Sequence, residues 1–127
     1  MAARRGSPAV PLKHSKEFAR ECLQAAEDER VREWRIVKLF YAALHAFNHK
    51  AYGPKPIPER FKHTERREAL PEEIGEEAAI DYSTLEQLSR VARYKPEKHP
   101  MTDSEEAEAW RCCREVFKAC ELDWPGK

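Results

Sequence analysis

Residues 34–52, WRIVKLFYAALHAFNHKAY, restrict the possible folds of this chain more than any other stretch. Val37, Tyr41, Leu44 and Asn48 recur at helical spacing, and Ile36, Phe40, Ala43 and Phe47 form a second stripe beside them. At ~100° per residue, two adjacent stripes cover roughly half of a helical cylinder. A surface helix needs only one such stripe, so this one must be packed on several sides. It is therefore expected to be the central element of a bundle, with Lys38, His45 and His49 on its remaining strip. The following Gly53-Pro54-Lys55-Pro56-Ile57-Pro58 ends it, because proline lacks the amide donor and disfavours helix in the residue before it.

The rest of the chain supplies partners for that helix. Ser15 is placed to cap a first helix running to about Arg32, with Phe18, Cys22, Ala25 and Ala26 inward and Leu23 beside them. A short helix is predicted over residues 59–70, followed by Pro71 and an exposed acidic run of Glu72, Glu73, Glu76, Glu77 and Asp81. A long helix over residues 78–94 turns Tyr82, Leu85, Leu88 and Ala92 inward, and Pro96 and Pro100 stop it. Thr102 and Glu105 have capping-box spacing, which opens a last helix with Ala107, Trp110, Cys113, Val116, Phe117, Cys120 and Trp124 as its apolar side. Trp34 and Trp110 are expected in the core, and Trp124, beside Pro125, half exposed. No segment alternates like a strand. The expected fold is all-α: an up-and-down bundle of four main helices plus one short helix, in one domain over residues 15–124. Residues 1–14, with Arg4, Arg5 and Lys13, are read as a flexible basic tail.

Composition narrows the function. There are 23 basic and 23 acidic side chains, so a chain coating nucleic acid by bulk charge is excluded and any such contact must be a local patch. No apolar run reaches 18 residues, and no membrane partner is expected. The two early arginines lead into no apolar segment, so a secretory signal is not read and the cytoplasm is the expected compartment. There Cys22, Cys112, Cys113 and Cys120 should stay thiols, and with no Cys-x-x-Cys among them they read as core fillers, not zinc ligands.

The local patch lies between residues 90 and 98, where Arg90, Arg93, Lys95 and Lys98 face one acid, Glu97, with His99 next. Cleaving RNA without a metal requires a proton acceptor for the 2′-hydroxyl, a donor to the departing oxygen and a cation on the phosphate. Histidine titrates near working pH, and arginine is a permanently charged phosphate fork. Arg93 and His99, with five residues between them, supply both groups. His45 and His49 are four apart and would need a third ligand to hold a metal, so neither metal nor cofactor is expected.

The stretches WRIVKLFYAALHAFNHKAY, HTERREAL and DYSTLEQLSRVARY together resemble the HEPN domain, a helical nucleotide-binding and RNase bundle, over about residues 15–122. The resemblance implies a homodimer whose interface holds an Arg-x(4–6)-His site, here Arg93 and His99 as catalytic residues. Arg90, Lys95 and Lys98 would bind RNA phosphate, and His45, Asn48, His63 and Tyr94 would stand in support. It implies a metal-independent endoribonuclease acting on RNA and not DNA, in toxin or phage-defence systems, sometimes beside a nucleotidyltransferase-like protein. Active members resembling this chain place a small polar residue where Tyr94 stands. The alternative is a non-catalytic HEPN-like module that binds a nucleotide, RNA or a partner protein.

Overall fold

Five helices follow one another in a computed structural model that describes residues 15–53, 63–94 and 97–125, the side chains of residues 63–67 excepted. They are α1 (Ser15–Asp28), α2 (Arg32–Tyr52), α3 (His63–Ile74), α4 (Glu76–Tyr94) and α5 (Asp103–Ala119). The chain is all-α, and no strand occurs among the described residues. The tail at residues 1–14 lies outside them.

The central position of α2 is as its two stripes require. It packs against α1, α4 and α5 and, over a smaller area, α3. Ile36, Leu39, Phe40, Ala43, Ala46 and Phe47 are buried along it. Tyr82 of α4 meets Phe40 and Phe47 edge-on, at ring centroid distances of 5.6 and 6.1 Å. Leu23, Leu85, Val116 and Phe117 complete the core. Three residues join α1 to α2, so two helices packed side by side over so short a link run antiparallel.

The first helix ends at Asp28, and Arg32 opens α2 instead of closing α1. No glycine or proline marks this break. Its cause is tertiary: Arg35 Nη1 donates to the carbonyls of Glu29 and Arg30, both at 2.9 Å, and Arg32 pairs with Asp103 and Glu106 of α5. The inner face of α1 is Ala19, Leu23 and Ala26, while Phe18 is 37% exposed, so the stripe is rotated from the expected one. Trp34, expected in the core, is 52% exposed.

Helix α3 continues through Pro71 to Ile74, past its expected end. Gly75 then makes the whole turn into α4, at φ +88°, a conformation that favours glycine. Its amide donates to Pro71 at 3.0 Å and its carbonyl accepts from Ala79 at 3.0 Å, so one residue ends one helix and starts the next. Glu72, Glu73, Glu76 and Glu77 are exposed as expected, but Asp81, expected to be exposed with them, is half-buried because it pairs with Arg111 of α5 at 3.0 Å. The predicted capping box of α5 is present, with Thr102 Oγ1 accepting from the Glu105 amide at 3.1 Å and Glu105 Oε1 from the Thr102 amide at 2.9 Å. Ala107 is exposed, whereas Ala109, Cys112, Cys113, Val116 and Phe117 are buried.

The four cysteines are free thiols. Burial pushes the Cys112 and Cys120 thiols up to about 12 and that of Cys113 well above its ordinary value, so all three act as apolar filler. No described helix is long and apolar enough to cross a membrane.

Candidate functional site

Arg93 stands in the last turn of α4, where a cation is favoured by the helix dipole. Its guanidinium lies against two tyrosine rings, 5.3 Å from the centroid of Tyr41 on α2 and 5.5 Å from that of Tyr94. Nη2 donates to the Tyr41 hydroxyl and Nη1 to the Tyr94 hydroxyl at 3.3 Å. These bonds, the one to Tyr94 first, raise the Arg93 pKa above its ordinary value. Among the described residues no carboxylate pairs with it. Arg32 and Arg35 are neutralised by Glu106, and Arg111 by Asp81 and Glu108. The Arg93 charge is thus fixed in place, with no paired carboxylate among the described residues.

His99 is exposed in the turn between α4 and α5. Its Nε2 lies 3.0 Å from Glu105 Oε2, and the same carboxylate caps α5 through its other oxygen. The bond to His99 is the chief reason that Glu105 titrates below the usual carboxylate range. The imidazole is thereby oriented by an acid. Arg93 and His99 share no hydrogen bond; each is held by its own partners.

The other expected residues divide similarly. Arg90 is exposed and reaches Glu86 at 3.5 Å, a long i,i+4 pair, and Lys98 is exposed. Lys95 and the side chain of His63 lie outside the described residues. His45 is half-buried with its ring stacked on Phe18 at 5.2 Å. Asn48 is buried, and its Oδ1 has no hydrogen-bond partner among the described residues. Tyr94 is 68% exposed. No group of three or more His, Cys, Asp or Glu side chains that could hold a metal occurs among the described residues.

Sequence reasoning placed Tyr41 only on an apolar stripe and missed its hold on Arg93. The signal was present: a tyrosine on a half-buried stripe needs a partner for its hydroxyl. Glu105 was read as a cap only, and its second oxygen was overlooked. In comparison with known proteins, no family model, no curated protein and no solved structure matches this chain.

Proposed function

We propose that this chain is an RNA-binding helical domain in which Arg93 holds a backbone phosphate. The observation that carries the reading is the Arg93 guanidinium, clamped by Tyr41 and Tyr94 with no carboxylate paired to it among the described residues. A guanidinium fixed this way loses little freedom when it binds an anion, and its remaining N–H donors match phosphate oxygens. Exposed Arg90 and Lys98 nearby add attraction for a polyanion, which a single small anion does not need.

A second reading, cleavage of the bound strand without a metal, is favoured by the His99–Glu105 pair. In it His99 is the acid/base and Arg93 stabilises charge growing on phosphorus. This is the HEPN-like endoribonuclease expected from the sequence.

Binding is tested by filter retention of single-stranded RNA at constant salt. Arg93→Ala should weaken retention about tenfold, the worth of one charged hydrogen-bonded contact, with the circular dichroism spectrum unchanged. Retention equal to wild type would refute the phosphate site. Cleavage is tested with the same RNA in EDTA. Fragments lost in both His99→Ala and Arg93→Ala support the enzyme; intact RNA beside undiminished binding leaves the non-catalytic module.

A further inference from the structure

Trp110 and Arg114 are four residues apart and so share one face of α5. Past the end of that helix, Glu121 takes φ +62° and the Leu122 amide donates to the Phe117 carbonyl at 2.9 Å. This turn brings Trp124 back onto α5. Its ring lies 5.3 Å from Phe117 and 6.4 Å from Trp110 between centroids, at interplanar angles of 85° and 80°. Trp110 is fixed in turn by its Nε1, which donates to Glu106 at 3.1 Å. The two half-buried indoles are thus perpendicular walls of a pocket of about 290 Å³, which Glu27 of α1 and Arg114 also line. Among the described residues Glu27 has no hydrogen bond or ion pair, and Arg114 has only Glu115, at 3.6 Å. An acid and a guanidinium therefore face one pocket without reaching each other.

We propose that this pocket binds a choline phosphate, with the quaternary ammonium between the two indoles and Glu27 and the phosphate on Arg114. Shape argues first. Perpendicular rings enclose a rounded group, whereas a flat base stacks on parallel faces that this pocket lacks. Charge argues second. Indole is the strongest aromatic partner for a cation, and Glu27 stands in the last turn of α1, where the helix carbonyls add partial negative charge and no base occurs. A trimethylammonium group is weakly hydrated and presents methyl groups to the rings, while a lysine ammonium holds its water strongly. Arg114 would repel a bare cation, but its N–H donors suit the phosphate of a ligand that carries both charges. The volume, at the lower end of ligand cavities, fits a head group and not a larger molecule. Free phosphocholine and the head group of phosphatidylcholine share this chemistry.

The site shares no residue with the Arg93 cluster, and its test uses no RNA. Phosphocholine is titrated into the full chain to about 20 mM while the indole N–H signals are followed by NMR. Those of Trp110 and Trp124 should shift and saturate, and that of exposed Trp34 should not move. Dimethylbutanol, the neutral isostere of choline, should shift none of them. Glu27→Gln should weaken phosphocholine and choline alike about fivefold, and Arg114→Gln should weaken phosphocholine about tenfold without weakening choline, both with unchanged melting curves. Phosphatidylcholine vesicles separate the two sources. Flotation of the protein with them, reversed by phosphocholine, assigns the site to a lipid surface; binding of the free ligand without flotation assigns it to a soluble one. Unmoved Trp110 and Trp124 signals, an equal response to dimethylbutanol, or wild-type phosphocholine affinity in either variant overturns the proposal.

Discussion

Glu106 shows how much a single side chain carries here. It accepts from Arg35 Nε at 2.7 Å, Arg35 Nη2 at 3.0 Å, Arg32 Nε at 3.0 Å and Trp110 Nε1 at 3.1 Å. The Arg35 bond above all lowers its pKa to about 2 from an ordinary 4.5. The folded state binds this proton less tightly than the unfolded chain does. Its stabilisation is therefore complete above pH 4.5 and is lost as pH falls through about 2. The shift corresponds to about 3 kcal/mol at most. Urea unfolding of Glu106→Gln should accordingly show lower stability at pH 7 and a flatter acid limb than wild type. Identical acid limbs would mean that the pair contributes nothing. Arg93 differs because its partners are hydroxyls, which satisfy donors without cancelling charge.

Among the helices, the ends are where local chemistry can be weighed. Thr102→Ala removes the side-chain acceptor that starts α5 and should cost about 1 kcal/mol. Gly75→Ala meets no atom within 4 Å, so its cost comes only from the backbone angle of +88°, about 1–2 kcal/mol. Thermal melts of both variants should fall by several degrees; a Gly75→Ala variant as stable as wild type would show that α3 and α4 tolerate a different turn. The cap of α5 was readable because Thr102 and Glu105 are local partners. The end of α1 was not, since the groups that break the helix are Arg35 and acids more than 70 residues further along.

At the scale of the molecule, stability rests on α2, which three long helices surround. Phe47→Ala opens a cavity in that core and should cost about 3–5 kcal/mol, a large part of a small domain's total. Phe18→Ala, at a 37% exposed position on the periphery, should cost less than about 1 kcal/mol. Chemical denaturation of the two variants checks the contrast, and equal losses would remove α2 from its central place.

What the sequence determined by itself was the all-α class, the central helix, the approximate spans of α2, α4 and α5 and the cap of α5. These depend on the period of apolar residues and on partners three or four residues apart. It also marked Arg93 and His99 by their chemistry. Only the tertiary structure decided which face of α1 turns inward, that Trp34 faces out, and that α3 passes through Pro71. It alone decided that Arg93 is held by Tyr41 and His99 by Glu105. Each of these depends on groups that approach only once the helices are packed, and no local spacing encodes that approach.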